Sequence, residues 1–469
     1  MPSTRPDLPH SRAEWHRRVW LLAGPIILSN LSVPLVGAVD TAVVGHLPDA
    51  TALAAVALGA VIFNFALWGF GFLRMGTTGL VAQAAGKAAG KAAGSGDPHE
   101  LQALLQRALL LAALLAAALL LLQRPLAALA FRVVDGGAEL EALARDDYFA
   151  VRIWSAPATL ANYALLGALI GLQRSGAALL VQLALNLSNV ALDLLFVIGF
   201  DWGVAGVASA SLLAEYLALG IGLWLLGRHP GWRILPRAEL FDRQRLAALL
   251  TLNGNLFVRT VCLLSGFFYF TAVGTRLGEL TLAANAVLMN LVNFLAFGLD
   301  GFAHAAEALA GGAYGARRAA AFRAAVCATS LWALLAAALC SLLYAFAGTA
   351  IVGLLTDIPE VLAACAEYLP WLAGAPLVFF WSYQLDGIFV GATRSREMRN
   401  GALLSLGVFL LACQLLVPAF GNHGLWLALY LFMACRALSL GYYYPRLLAA
   451  LRAPPADGAT DSPTLRGTP

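Results

Sequence analysis

Residues 108–122 read Ala-Leu-Leu-Leu-Ala-Ala-Leu-Leu-Ala-Ala-Ala-Leu-Leu-Leu-Leu, without one polar side chain. Extended back to residue 101, the stretch carries a single charge, at Arg107. A helix of about 20 apolar residues spans the hydrocarbon core of a bilayer, because each residue adds about 1.5 Å of length. The stretch therefore predicts a transmembrane helix, and it gives a standard by which to read the rest of the chain.

Twelve stretches of the 469-residue chain meet this standard. Their approximate bounds are 17–43, 51–80, 101–122, 148–171, 177–200, 204–227, 247–275, 281–310, 322–347, 366–391, 400–420 and 424–448. The composition agrees, since 61% of the residues are apolar and only 12% are charged, whereas soluble domains carry about 25% charged residues. The sequence predicts an all-α polytopic protein embedded in a lipid bilayer. The net charge of +4 does not indicate a nucleic-acid partner.

Basic residues are distributed unevenly between the two sets of connecting loops. With the N-terminus inside, 21 of the 30 basic residues fall on the cytoplasmic side, five on the outer side and four within helices. Cytoplasmic loops of membrane proteins carry such an excess of Lys and Arg. We therefore expect a multi-pass protein of the bacterial inner membrane with both termini in the cytoplasm.

Short motifs recur at a nearly constant offset. Gly171-Leu-Gln-Arg-Ser175, after the fourth predicted helix, resembles Gly391-Ala-Thr-Arg-Ser395, after the tenth, 220 residues later. Two weaker matches, at offsets of 218 and 229, pair Gly203-x-x-Gly206 with Gly421-x-x-Gly424, and Ala-Ala-Gly86 with Ala-Tyr-Gly315. Parallel repeats of this kind are typical of transporters. The predicted organisation is a cytoplasmic tail (1–16), a six-helix lobe (17–227), a cytoplasmic linker (228–246), a second six-helix lobe (247–448) and a disordered cytoplasmic tail (449–469).

Four polar residues of the first half fall at one depth in the predicted helices. Asp193 and Ser211 each lie seven residues from an outer helix end, and thus about 10 Å below the outer face, with Asp40 and Asn189 at a similar depth. A charge inside the bilayer costs about 3 kcal/mol on insertion scales and indicates function. Two carboxylates close together cannot both ionise cheaply, so the pKa of one of them should rise toward neutrality. A proton-coupling site requires such a pKa. The same oxygens could also coordinate Na⁺. For Ser211 alone, a hydrogen bond between helices is the simpler interpretation.

The second half carries its own charges within the predicted helices. Arg259 and Asp300 are at similar depths, so we expect them to pair at mid-membrane, either as a structural ion pair or facing the substrate. Asp386 lies closer to the cytoplasmic arginines, and Glu307 does too, so both are expected in solvated or gating pairs. We assign no role to His304.

Motifs for catalysis or ATP binding are not found. The chain has no phosphate-binding Gly-Lys-Ser/Thr loop, no Gly-x-Ser-x-Gly, no His-Glu-x-x-His and no His/Cys metal spacing. We therefore expect neither an enzyme nor a cofactor. Energy for transport would come from an ion gradient, worth about 2.3 kcal/mol per charge per 100 mV.

Several motifs, taken in order along residues 15–450, resemble the multidrug and toxic compound extrusion (MATE) exporters of the MOP superfamily, and among them the DinF-like branch. They are Gly24-Pro25-Ile-Ile-Leu, Val39-Asp40-Thr41-Ala-Val-Val-Gly45-His46-Leu47, Asn189-x-x-x-Asp193, Gly206-Val-Ala-Ser-Ala-Ser211, Ala284-Asn285-Ala-Val-Leu, Leu299-Asp300-Gly301-Phe302-Ala303, Ala313-Tyr314-Gly315-Ala316-Arg317 and Asp386-Gly387-Ile-Phe-Val-Gly391-Ala-Thr-Arg394.

This resemblance implies two six-helix lobes in a V with a central cavity open alternately to each side. It implies a monomer that exports amphipathic drugs or toxic organic cations by antiport with H⁺ or Na⁺. It assigns the cation site to Asp40, Asn189, Asp193 and Ser211, and a bend of the first helix to Pro25. The family usually has threonine where Ser211 stands, and an acid where Asn255 stands, so the second lobe lacks that acid.

One related function stays open at this stage. Flippases of lipid-linked oligosaccharides share the architecture, and their cavity should present several cations to a pyrophosphate. Here the cations well inside the predicted helices are few (Arg74, Arg107, Arg259 and Arg436), and two of these lie near helix ends.

Overall fold

A computed structural model describes residues 11–45, 50–90, 98–131, 137–227 and 235–452. Most of the predicted tails, at residues 1–10 and 453–469, and part of the predicted linker, at 228–234, lie outside the described residues. His46 also lies outside them, and the side chain of Asp40 is not described, although its backbone belongs to the first helix.

Throughout the described ranges the chain is helical, with no strand. The α-helices are α1 (Arg12–Val44), α2 (Ala50–Trp68), α3 (Phe72–Gly90), α4 (Pro98–Leu121), α5 (Gln123–Phe131), α6 (Ala138–Ala142), α7 (Ala150–Arg152), α8 (Ala156–Gly171), α9 (Ser175–Asp193), α10 (Gly203–Gly227), α11 (Arg237–Leu240), α12 (Arg243–Arg276), α13 (Glu279–Gly315), α14 (Ala319–Gly353), α15 (Pro359–Gly391) and α16 (Ser395–Arg452).

Short turns of tighter or wider helix join some of these elements into longer spans. A 3₁₀ turn (Gly69–Gly71) joins α2 to α3, and a π-helical turn (Leu143–Phe149) joins α6 to α7. A second 3₁₀ turn (Ile153–Ser155) joins α7 to α8, and a second π-helical turn (Leu194–Gly199) extends α9. Each joined pair therefore forms one long helical span.

Ten helical spans of the described chain are long and apolar enough to cross a membrane. The last of them, α16, is 58 residues long and is broken at Gly421, whose φ of 55° and ψ of −131° are not helical. Counting its two parts separately, and adding the 33-residue α1, gives twelve segments. The prediction of an all-α polytopic membrane protein is confirmed. Helix α12 starts at Arg243 and α16 ends at Arg452, a few residues beyond the predicted bounds.

The helices pack as two groups that follow the order of the sequence. In the first half, α8 packs against α3, α4 and α10, while α9 packs against α1 and α10. In the second half, α13 packs against α14 and α15, and α12 against α16. The main contacts between halves are those of α1 and α3 with α13. Pro25 lies inside the continuous helix α1, and the bend there stays a prediction.

The ends of α3, α8, α13 and α15 lie together on one side, which we call the terminal face because α1 starts and α16 ends on it. Glycines permit this approach: a Cβ on Gly86 of α3 would lie 1.9 Å from the carbonyl oxygen of Gly312 of α13. A Cβ on Gly315 would lie 2.1 Å from the carbonyl oxygen of Gln83. Small residues let membrane helices meet backbone to backbone, so the two halves are in close contact at this face.

Candidate functional site

The first half contains a buried cluster of oxygen-bearing side chains, which we call the first-lobe cluster. Asn189 donates from Nδ2 to Asp193 Oδ2 at 2.9 Å and to Ser211 Oγ at 3.3 Å. All three residues are buried, and Asp193 is 0% exposed. The structure thus brings together three of the four predicted residues. The fourth, Asp40, belongs to α1, which packs against α9.

Local helix geometry positions this cluster. Asn189 and Asp193 stand at i and i+4, so their side chains lie on one face of α9. The α-helix ends at Asp193, and the chain continues in the π-helical turn Leu194–Gly199. Such wider turns occur frequently at functional sites, because they shift the register of the following residues. Ser211 comes from the neighbouring helix α10, so the cluster joins two helices.

One turn earlier on α9, Asn186 connects this helix to α1. Its Nδ2 donates to Ser32 Oγ at 2.5 Å, and its Oδ1 accepts from Gln182 Nε2 at 3.1 Å. Ser32 Oγ in turn donates to the carbonyl oxygen of Ser29 at 2.6 Å. Asn186 therefore links α9 to the middle of α1.

A second acid of the first half is already neutralised by the protein. Glu215 Oε2 accepts from Asn162 Nδ2 at 2.8 Å, and its Oε1 lies 3.9 Å from Arg152 Nη2. The guanidinium of Arg152 also lies 4.5 Å from the centre of the Phe63 ring. Sequence reasoning missed this pair, because the position of a Cα does not show how far a long side chain reaches.

In the second half, one carboxylate holds two arginines, an arrangement that we call the second-lobe triad. Asp386 of α15 accepts hydrogen bonds from Arg259 of α12 and Arg436 of α16. The side chains of Asp386 and Arg436 are 10% and 4% exposed. The expected ion pair of Arg259 with Asp300 is therefore wrong. Of the two expectations for Asp386, a solvated pair is wrong as well, and a gating pair stays a prediction. A buried carboxylate needs charged partners to offset its desolvation, and two guanidiniums supply them.

Asp300, the third predicted residue of the second lobe, stands apart from this triad. It is half-buried on α13, and no hydrogen bond or ion pair within 4 Å joins it to the part of the chain that the structure describes. Arg74, Arg259 and Glu307 lie near enough to act on this carboxyl group electrostatically. Asp300 is thus an acid without a direct partner, among groups contributed by α3, α12 and α13.

A third cluster joins the two halves. Arg74 Nη1 of α3 lies 3.2 Å from His304 Nδ1 and 3.7 Å from Glu307 Oε2, both on α13. His304 Nδ1 also lies 3.2 Å from Glu307 Oε1. We call this cluster the inter-lobe tie. Sequence reasoning gave His304 no role, although its i, i+3 spacing from Glu307 was a signal that the two side chains share one helix face.

Other contacts between the halves lie on the same side of the membrane. Gln83 Nε2 donates to the carbonyl oxygen of Gly391 and to Thr393 Oγ1, each at 3.0 Å. Nearer the middle, Asn30 Nδ2 donates to the carbonyl oxygen of Phe297 at 3.1 Å. On the other side, α2 packs mainly against elements of its own half, among them α6 and α10. The main lobe-to-lobe contacts of the described residues therefore run from mid-helix to the terminal face.

The fold and these clusters define a class: a polytopic helical membrane protein of two lobes, with ionisable groups buried in each lobe and between them. The sequence matches the MatE family over residues 25–195 and 256–411. The chain belongs to this family, which is the MATE family of transporters. The resemblance that the motifs indicated is confirmed.

Relatives place the chain more closely. It is 40% identical over 436 residues to DNA damage-inducible protein F of Escherichia coli (strain K12), covering 92% of each chain. It is 27% identical over 468 residues to the probable multidrug resistance protein NorM of Rhizobium meliloti (strain 1021), covering 94% of this chain and 96% of that one. The first of these relatives confirms the DinF-like branch.

Solved structures share the fold. A crystal structure of MATE in the bent conformation matches with a TM-score of 0.83 at 17% identity, covering 94% of this chain and 98% of that one. An outward-facing multidrug resistance MATE family transporter of the MOP superfamily matches with a TM-score of 0.80 at 19% identity, covering 94% and 97%. At these identities the likeness concerns the fold alone.

Proposed function

We propose that this protein is a secondary active exporter of amphipathic, cationic compounds, and that it exchanges them for H⁺ or Na⁺ by alternating access. In this proposal it acts as a monomer in the bacterial inner membrane, with both termini in the cytoplasm. It uses no cofactor and no ATP, and it catalyses no chemical reaction. The observation that carries the proposal is the first-lobe cluster of Asn189, Asp193 and Ser211.

The chemistry of that cluster suits a small cation. The Asp193 carboxylate can accept a proton, and with the Ser211 hydroxyl it offers hard oxygen atoms to Na⁺. The Asn189 amide, which donates from Nδ2 to both residues, would add an oxygen ligand only after it turns its Oδ1 toward them. Asp193 is fully buried, and an ionised carboxylate in that position has a large desolvation cost unless a cation or proton neutralises it. We assign Asp40 to the same site, because it belongs to the helix that packs on α9.

Alternating access needs a contact that can break and re-form. The inter-lobe tie of Arg74, His304 and Glu307 joins α3 to α13, and the Gln83 contacts close the terminal face beside it. These contacts would hold the protein closed on the terminal face while the opposite face releases substrate. Opening toward the terminal face would then require them to separate.

Asp300 is our candidate for recognising the positive charge of a substrate. It is half-buried and without a direct partner among the described residues, whereas Asp386 is enclosed by two arginines. An organic cation entering between the lobes could approach the free carboxylate of Asp300 without displacing an existing ion pair. The name of the NorM relative, a probable multidrug resistance protein, agrees with such substrates.

The flippase alternative receives no support from the described side chains. Each of the four arginines in the predicted helices has a partner: Arg74 lies beside Glu307, Arg259 and Arg436 hold Asp386, and Arg107 donates to the carbonyl oxygen of Glu239 at 2.5 Å. A pyrophosphate would have to compete with these partners. We therefore propose no second function.

The test is efflux of a fluorescent cationic dye from proteoliposomes under an imposed H⁺ or Na⁺ gradient. We expect Asp40→Asn and Asp193→Asn to reduce gradient-driven efflux to the level of protein-free liposomes, because the amide keeps the size of the side chain but removes its charge. The matched control is Asp201→Asn, which removes an exposed charge from the same lobe at a position with φ of 56° that asparagine tolerates.

The gradient that drives wild-type efflux identifies the coupling ion. If Asp40→Asn and Asp193→Asn both keep gradient-driven efflux, and both have the elution volume and unfolding temperature of the wild type, a coupling role for the first-lobe cluster and Asp40 would be contradicted. Failure of the wild type under every gradient would contradict antiport itself.

A further inference from the structure

A groove opens on the outside of the second lobe, between the two parts of α16. Its volume is about 500 Å³, within the range of about 300–1,000 Å³ that is usual for sites of small ligands. It is bordered on one side by residues 400–408 and on the other by residues 431–443. None of the clusters described above lines it, so the groove is separate from the space between the lobes.

The groove is long and largely apolar. At about 1.5 Å per residue, its walls extend about 12 Å along the first part of α16 and about 18 Å along the second. Its lining includes Leu404, Val408, Leu431 and Leu438. The three leucines are exposed on the surface of the protein, and Leu438 is 74% exposed. In a bilayer this surface faces the acyl chains of lipids. A hydrocarbon chain could therefore lie along it without disturbing the protein.

The end of the groove nearest the terminal face is polar and positively charged. Arg399 donates from Nε and Nη2 to Asn400 Oδ1 at 3.1 and 2.9 Å, and from Nη1 to Asn255 Oδ1 at 3.0 Å. These bonds fix the guanidinium beside a residue that lines the groove. The contacts use three of its five N–H donors, so two remain for another acceptor.

Arg446 borders the same end from the other side. Its Nη2 donates to the hydroxyl of Tyr442 at 3.3 Å, and its guanidinium lies 5.2 and 5.6 Å from the ring centres of Tyr442 and Tyr443. Both tyrosines line the groove. Neither Arg399 nor Arg446 forms an ion pair with a carboxylate of the described chain. Each guanidinium is therefore held against a residue that lines the groove, Asn400 or Tyr442, and has no carboxylate counter-ion in the described part of the chain.

We propose that this groove binds an anionic phospholipid, with an acyl chain along the leucines and the phosphate between Arg399 and Arg446. Guanidinium groups bind phosphate by charge and by paired hydrogen bonds, and the tyrosines suit the headgroup level of a membrane. A zwitterionic lipid would fit the apolar part of the groove, but the positive charge of its headgroup would lie near the two arginines and be repelled by them. The lipid would hold the two parts of α16 together from outside the transport path.

The experiment measures lipids bound to purified protein by native mass spectrometry, after incubation with equal amounts of phosphatidylglycerol and phosphatidylcholine. Two basic residues predict a preference of about tenfold to thirtyfold for phosphatidylglycerol. We expect the double variant Arg399→Ala/Arg446→Ala to bind both lipids equally. The matched control, Arg318→Ala/Arg323→Ala, removes two exposed charges near the terminal ends of α13 and α14 and should keep the preference.

A second variant tests the apolar part independently of charge. Leu404→Trp places a bulky side chain in the groove at a position that is 58% exposed, so it should fold normally and bind less of either lipid. Equal phosphatidylglycerol binding by wild type and the arginine variant would overturn the proposal. So would unchanged binding by Leu404→Trp, or a dimer whose formation Leu404→Trp abolishes, since the occupant would then be a second copy.

Discussion

The two lobes hold their buried acids in different ways. In the first lobe, Asp193 lies among a carboxamide and a hydroxyl, with Asn189 donating to it. In the second lobe, Asp386 accepts from two guanidiniums at once. A carboxylate that already holds two guanidiniums has little capacity for a third cation. The difference supports ion coupling through the first lobe.

Counting charges along the helices extends this comparison. The second lobe and the inter-lobe tie contain three arginines, at positions 74, 259 and 436, and three acids, at positions 300, 307 and 386. These three acids of the second lobe are therefore matched in number by Arg259, Arg436 and, from α3 of the first lobe, Arg74. In the first lobe, Glu215 lies 3.9 Å from Arg152, whereas Asp193 accepts from the neutral side chain of Asn189.

The strongest test of the comparison is Asp386→Asn. Removing this charge would leave Arg259 and Arg436 buried without their anion, and breaking a buried ion pair in this way costs about 3–5 kcal/mol. We expect a marked fall in the unfolding temperature of the purified protein in detergent. Asp300→Asn is the control, because it removes a charge of the same lobe that has no direct partner in the described structure. Equal melting of the two variants would show that the triad does not stabilise the second lobe.

The triad also shows what the sequence could not predict. The helix spans could be predicted from the sequence, because a stretch of about 20 apolar residues indicates a membrane span. The first-lobe cluster could be predicted too, because the spacing of Asn189 and Asp193 places both side chains on one helix face. The position of a residue along a predicted helix gives its depth in the membrane, but it does not show which neighbouring helix the side chain faces. Arg259 was matched to Asp300 by the depth of its Cα, whereas its long side chain reaches Asp386 on another helix. Pairing across helices distant in sequence required the three-dimensional packing.

A smaller effect is expected from Glu307→Gln, which tests whether the lobes depend on each other through charge. The change removes the negative charge of the inter-lobe tie, and the glutamine side chain can still form a hydrogen bond with His304. We expect the closed arrangement at the terminal face to lose on the order of 1 kcal/mol, a roughly fivefold shift in population. Distances between spin labels on Lys87 of α3 and Arg318 beside α14 would report it, since both side chains are exposed.

Glu360→Gln provides the control for this measurement. Glu360 is exposed at the start of α15, at the end away from the terminal face, so its loss should leave the distances unchanged. If Glu307→Gln also leaves them unchanged, the tie does not govern closure, and the glycine contacts of α3 with α13 would have to hold the lobes together.

The smallest effect should come from Ser211, the member of the first-lobe cluster that departs from the threonine usual in the family. Ser211→Ala removes the hydroxyl that accepts from Asn189 at 3.3 Å, and a neutral hydrogen bond contributes about 0.5–1.5 kcal/mol. We expect the ion concentration for half-maximal efflux to rise about threefold to tenfold. Ser211→Thr keeps the hydroxyl and should match the wild type. Normal ion dependence in Ser211→Ala would mean that Ser211 only packs α10 against α9, and that the carboxylate and carboxamide bind the ion without it.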